Sequence, residues 1–358
     1  MADPARLLQA FERQIGWCSQ PSPFSAHVLA RSRAWLAAHD DALNAVAAVA
    51  DDPLVCAVAL RWLSGLHHLA LLGREPWAGL WSAAGAQPDE ALLDAAIDGA
   101  WHGQRVHMQT ALAGPPQTNE VQRSAALLPG LLHIAALTRR PLALAEIGSS
   151  AGLNLWCDQY HYRFQAADVA DAWVWGVAQA TLVLDCAWTG ARPSAAALEI
   201  VQRAGCDVAP VDLQQPGQDV RLASFVWPDQ PERLARLRAA VAVARERMAQ
   251  QGVQVQRSLA ADFVRDQIER RPEGATQVLM HSVVWQYIDA GEQADIRSRM
   301  QAAGAAATAA SPLAWLRFEP PKADLRVEMR CQVWPGGQDS LLAVCHPHGA
   351  WVQWQTAA

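Results

Sequence analysis

Chemistry in this sequence concentrates at Glu146-Ile147-Gly148-Ser149-Ser150-Ala151-Gly152-Leu153-Asn154. Glycines after a strand let the backbone turn tightly and approach a ligand, and a helix that follows offers free N–H groups. Glu146, two residues before the first glycine, adds a carboxylate suited to a cationic group. A dinucleotide-binding turn carries a further glycine where this chain has Ser150. The same residues match G-x-S-x-G with Ser150 as nucleophile, and Asp262 and His281 complete the order Ser, Asp, His. His281 also suits general-base work, because imidazole changes charge near neutrality. His102 and His107 come closest to metal spacing, but they stand five apart without an acidic partner on that face, and no metal is expected.

These groups need elements to hold them. The first 140 residues read as helix: Leu7, Leu8, Phe11 and Ile15 share a face, and 53–72 and 90–113 are rich in Ala and Leu. A further helix is expected over 119–138, with Asn119 and Gln122 forming a capping box. At Pro141 the pattern changes. Residues 142–147 form a short apolar run, the glycine turn follows, and 153–160 reads as helix. Strands are expected at 181–185, 208–212, 253–257, 277–281, 313–318, 330–334 and 341–345, with a helix over 230–251. Strands alternating with helices indicate a doubly wound, largely parallel sheet, and Pro335-Gly336-Gly337 joins the last two strands as a hairpin.

Composition narrows the function classes. Of 358 residues 51% are apolar and 18% charged, which supplies a sizeable core and excludes wholesale disorder. At about 150 residues per domain the length fits roughly two. A net charge of −6, with no basic run longer than Arg139-Arg140 or Arg270-Arg271, gives no electrostatic reason to bind nucleic acid. Seven cysteines without a CxxC pair argue against a disulfide framework and for a reducing compartment. The N-terminus lacks a secretory apolar core, and no apolar run reaches the length of a membrane span. The expectation is a cytoplasmic protein with a small-molecule partner, no nucleic acid and no membrane. Sixteen tryptophans against three tyrosines read as packing and pocket lining.

Further acidic residues extend the signal of Glu146. A Rossmann-like site for S-adenosylmethionine (SAM) sets one carboxylate on the ligand's amino group. It sets another at the end of the second strand, on the ribose hydroxyls, and a third near the end of the third strand, at the adenine. Asp212 and Asp262 stand where the last two would fall, while Asp185 and Asp207 compete with Asp212. The distance from Gly152 to Asp212 implies an insertion over about 159–203. Each Asp taken alone also fits a cap or a turn.

The strings QTNEVQR (117–123), EIGSSAGLNLWCDQYHYRF (146–164), FVWPDQPERLARL (225–237) and HSVVWQY (281–287) resemble an uncharacterised bacterial family of unknown function. The resemblance spans nearly the whole chain. It implies a fold similar to SAM-dependent methyltransferases and brings no established substrate. The expected architecture is a helical N-terminal region over 1–116 and a seven-stranded Rossmann-like domain over 117–358. The expected function is methyl transfer from SAM to a small molecule. Glu146, Gly148, Ser150, Gly152, Asn154, Asp212 and Asp262 would hold the cofactor, and His281 would act as base. Asn119, Glu120, Arg123, Tyr160, Trp285 and Tyr287 are candidates for a substrate lid or pocket, with capping and packing as their alternative roles. Two rivals stand beside this reading. One is a non-catalytic binding protein, because the Asn-Pro-Pro-Tyr segment of many nitrogen methyltransferases is absent. The other is a Ser150 hydrolase, although a hydrolase turn follows several strands and its His lies in a late loop.

Overall fold

Asp3 and Ser22 open the first two helices, α1 (Pro4–Cys18) and α2 (Pro23–Ala37). Each cap side chain accepts a first-turn N–H, and the proline that follows gives up an N–H with no intrahelical partner. The computed structural model describes residues 3–82, 88–168, 172–193, 196–321 and 326–355. Helices α3 (Asp40–Ala47), α4 (Val58–Leu71), α5 (Trp77–Ser82), α6 (Glu90–Gly103) and α7 (Arg105–Ala113) follow. The helix expected from residue 53 begins only at Val58, because Asp52 accepts the N–H groups of Leu54 and Val55 and holds them in a turn. Leu7 and Phe11 of α1, Trp62 and Leu66 of α4 and Trp101 of α6 share one apolar core. Trp62 is its centre, 6.4 Å from Phe11 and 5.8 Å from Trp101 between ring centroids. Residues Met1–Thr118 and Gln215–Arg238 form this compact unit. Among the described residues no strand precedes residue 142.

The second unit comprises Asn119–Gln214 and Ala239–Ala358. Helix α8 (Ser124–Thr138) is apolar almost throughout and leads into β1 (Leu142–Ile147), which is buried along its whole length. Next come β2 (His161–Ala166), β3 (Trp173–Gly176), β4 (Val183–Thr189) and β5 (Ile200–Asp207). Helix α9 (Gln218–Ala223) belongs to the first unit, and the boundary at Arg238 falls within α10 (Pro231–Gln251). The chain continues through β6 (Val255–Arg257), α11 (Ala260–Glu269), β7 (Thr276–Ser282), α12 (Ala290–Ala305), β8 (Leu313–Glu319), β9 (Val327–Trp334), β10 (Asp339–Cys345) and β11 (Trp351–Trp354).

These strands make one mostly parallel sheet in the order β3-β2-β4-β11-β10-β9-β8-β7-β1-β5-β6. The sheet has eleven strands where seven were expected. The difference arises mainly in 159–203: three strands from this stretch, β2 to β4, extend the sheet beyond β11, and a fourth, β5, pairs with β1. No strand forms over 208–212.

Five parallel strands, β6-β5-β1-β7-β8, keep the order 3-2-1-4-5 of a doubly wound sheet, so the order reverses between β1 and β7. Ala145, Ile147, Leu279 and Trp315 pack with Phe263 of α11 and Met300 of α12 on one face. On the other face α8 lies so close that a Cβ at Gly130 would meet Leu316 and Met329. Glu146 stands opposite Met280 in register, so Glu146 shares that residue's face and His281 points to the other.

Candidate functional site

Ligands of open α/β sheets bind beyond the carboxyl ends of the strands, where the order reverses. Glu146 is at that point. It is only 2% exposed, and its Oε1 accepts from Asn154 Nδ2 at 3.3 Å. Asn154 is aimed in turn by the Ser124 hydroxyl, which donates to its Oδ1 at 2.8 Å. Glu146 Oε2 is buried and has no hydrogen-bond partner. Burial pushes this carboxyl up to about 8, opposed by the Asn154 hydrogen bond and the Arg123 charge and reinforced by Asp207.

The turn after β1 contains three left-handed residues: Gly148 (φ 67°), Ser150 (φ 52°) and Gly152 (φ 70°). Ser150 adopts a conformation that costs a side-chain-bearing residue about 1–2 kcal/mol, so its neighbours must hold it. They do so through the backbone. Ser149 N–H donates to the Cys206 carbonyl, Ser150 N–H to Asp207 Oδ2 (2.9 Å), Ala151 N–H to Asn119 Oδ1 (3.3 Å) and Gly152 N–H to the Ser149 carbonyl (2.6 Å). A phosphate cradle needs such groups unspent, and here all four are engaged. The N–H of Ala151 is also the one a nucleophile turn would offer to an oxyanion. The space over Gly148 is taken by the Val284 side chain, and that over Gly152 by Met248 and Val255. Residues Leu153–Gln159 form a 3₁₀ helix rather than the expected α-helix.

The other acidic candidates separate. The second core strand ends at Asp207, whose carboxylate accepts from Ser150 and Ala209 N–H. Asp212 lies beyond it and caps the N–H of Gln214. Asp185 is on β4, in the extended part of the sheet, and its carboxylate accepts from Arg163 Nε and Nη2. Asp262 is exposed in the first turn of α11 and pairs with Arg265 at 2.8 Å.

The segment from Asn119 to Arg123 is a clamp. Asn119 holds the turn, donating to Ser150 Oγ and accepting from Ala151, and Glu120 accepts from Gln122 N–H. Gln122 donates to the Asp185 carbonyl, and Arg123 to the carbonyls of Pro347 and Ser282. The capping box is therefore not formed as expected: Asn119's amide is drawn to the turn, and 121–123 starts as a 3₁₀ helix. Tyr160 is fully buried, its hydroxyl on the Leu153 carbonyl, whereas Tyr287 is exposed.

On the opposite face His281 is 1% exposed, with Nδ1 2.6 Å from Glu319 Oε1. Trp285 stacks on its ring at 4.9 Å and 18°, with Trp315 at 6.1 Å. Sequence reasoning passed over Glu319. Its signal was an acid at the carboxyl end of an apolar parallel strand, one residue past the expected 313–318, the same feature that singled out Glu146. A cleft of about 360 Å³ lined by His133, Thr138, Cys331 and Trp334 lies by Pro312, at the opposite, amino-terminal edge of β8, and so does not serve these residues. Among the described residues no helix is long and apolar enough to cross a membrane.

A family model described as "Uncharacterized protein conserved in bacteria (DUF2332)" matches residues 8–354, and the chain belongs to that family. No curated protein and no solved structure matches it.

Proposed function

We propose that this DUF2332 protein binds SAM in a Rossmann-like site at the carboxyl ends of β1 and β7 and transfers its methyl group to a small molecule. One observation carries the reading. Glu146 is a buried carboxyl with a spare oxygen, standing where the strand order reverses. A buried acid with unused acceptor capacity is matched by a cation arriving with the ligand, and SAM brings an ammonium group. Asn154 and Ser124 hold the other oxygen, so the carboxyl is oriented in advance. The engaged N–H groups of the turn favour a ligand held by side chains over one held by phosphate. Asp207, at the end of the second core strand, or Asp212 would meet the ribose, and Asp262 the adenine. The protein's main contribution to transfer is orientation of the incoming nucleophile against the methyl group, with His281 as base.

A second reading, a non-catalytic binding protein, draws on Val284, which fills the space over Gly148 that a close ligand would use.

Titration calorimetry with SAM and with its demethylated product tests both. Binding is expected, and Glu146→Ala should weaken it roughly ten- to a hundredfold, the equivalent of one charge-assisted hydrogen bond of about 1.5–3 kcal/mol. The carboxyl must ionise to meet the ammonium, so binding releases a proton and tightens as pH rises toward about 8. Heats that vary with the buffer's ionisation enthalpy would register that proton. No binding at millimolar ligand rejects the reading. Unchanged binding in Glu146→Ala rejects the site, and binding of both ligands without any turnover favours the second reading.

A further inference from the structure

We infer that Glu319 positions His281 as a proton acceptor, and that the molecule methylated here presents an O–H or N–H group rather than a carboxylate. The substrate class rests on the methyltransferase reading, whereas the pairing of the two residues stands on geometry. Glu319 Oε1 lies 2.6 Å from His281 Nδ1 and also accepts the N–H groups of Val284 (3.1 Å) and Trp285 (3.3 Å). An oxygen already receiving two N–H donors is an acceptor, so Nδ1 carries the hydrogen. In the neutral ring the lone pair then falls on Nε2. That nitrogen is buried without a hydrogen-bond partner, and so is Glu319 Oε2. Most buried side-chain nitrogens of folded proteins are hydrogen-bonded, and one left bare beside a fixed partner calls for an explanation. Here one nitrogen is fixed and the other is left for an incoming donor.

The loop that follows β7 reinforces this assignment. Val283 has φ 54°, left-handed backbone that a β-branched residue rarely adopts. Its N–H is held by the Phe318 carbonyl, and Arg123 donates to the carbonyl of Ser282. Strain sustained by several such contacts is a feature of sites. Its effect is to lay Trp285 over His281, with Trp315 5.7 Å away at the edge of the Trp285 ring.

In the transfer step the acceptor's lone pair forms the new bond to the methyl carbon. The carbon–sulfur bond breaks, its electron pair staying on sulfur as a neutral thioether. The acceptor's proton passes to His281 Nε2, which leaves an imidazolium facing Glu319. A carboxylate acceptor has no proton to lose and needs no such base.

Nitrogen NMR of the full chain labelled at histidine tests the pairing, with the His281 signals identified by their loss in His281→Asn. The wild type should show His281 with hydrogen on Nδ1 and a bare Nε2. In folded Glu319→Ala the majority tautomer should invert. Hydrogen on Nε2 in the wild type, or an unchanged tautomer in Glu319→Ala, overturns the inference. Should Glu319→Ala fail to fold, the wild-type tautomer decides. Acylation by diethyl pyrocarbonate, followed by peptide mass spectrometry, gives an independent arm. His281 should be unreactive in the wild type and acylated in Trp285→Ala, and a folded Trp285→Ala that stays unreactive overturns the inference. A bare Nε2 in a protein that binds no SAM rejects methyl transfer and the substrate class while keeping the pairing. SAM binding with hydrogen on Nε2 rejects the pairing and the substrate class drawn from it while keeping the methyltransferase reading.

Discussion

The helical unit and the sheet unit each bury titratable groups, and the histidines of the first and Glu146 of the second respond to pH in opposite senses. In the helical unit burial pushes His67 and His68 down to about 4. In the sheet unit burial pushes Glu146 up to about 8. The cause is the same, because each group loses water and prefers its neutral form. Their partners differ. His67 Nδ1 lies 3.1 Å from the Ser224 carbonyl, whereas Glu146 Oε2 meets no hydrogen-bond partner. A buried group whose bonding is complete belongs to the packing, and one with a spare acceptor at a strand end is a candidate for ligand chemistry.

Glycine substitutions give the largest contrast between the units. A Cβ at Gly148 would require strained backbone and would collide with Val284. Gly148→Ala should therefore cost about 2–5 kcal/mol, read from guanidinium unfolding. Adding Val284→Ala should recover the steric part and leave the backbone part. Gly16, inside α1, has nothing within 4 Å of its added Cβ. Gly16→Ala should stabilise the protein by about 1 kcal/mol. Equal effects at the two positions would break the contrast.

The opposed titrations come next. The stability Glu146 contributes is complete below its ordinary value of 4.5 and is lost as pH rises to about 8. The contribution of His67 is present above 6.5 and is lost as pH falls to about 4. Glu146→Gln should flatten the alkaline side of the stability curve, and His67→Gln the acid side, in denaturation series at several pH values. A single flattened side in both variants would merge the two cases. The smallest effect is expected at Asp262, whose exposed pairing with Arg265 should leave the unfolding midpoint unchanged in Asp262→Ala. Weaker SAM binding is expected in that variant, and unchanged binding would remove Asp262 from the site.

Much of the frame was legible in short stretches. The apolar run 142–147 is β1 to the residue, and 277–281 and 313–318 lie within β7 and β8, because parallel strands buried on both faces read as continuous apolar sequence. β2 carried a period-two signal, Tyr162 and Phe164 inward with Arg163 and Gln165 outward, hidden in what reads as an insertion. β5 had no such alternation: Val201 and Gln202 near its start are exposed, Val201 by 52%, and Ala204, Gly205 and Cys206 in succession are buried. At Asn119 a local rule competed with a distant partner and lost, since its amide serves the turn 31 residues away.

The sequence alone determined that helices come first and a largely parallel sheet later, that a glycine turn follows β1, and that an acid stands at its end. Periodicity, caps and turns are settled by residues a few positions apart, so they are written locally. Only the tertiary structure decided that Val284 covers Gly148, that Asp207 and Asn119 latch the turn, and that Glu319 faces His281 across 38 residues. The partner of a buried polar atom depends on which strands lie side by side, and that order follows from burying the whole sheet at once.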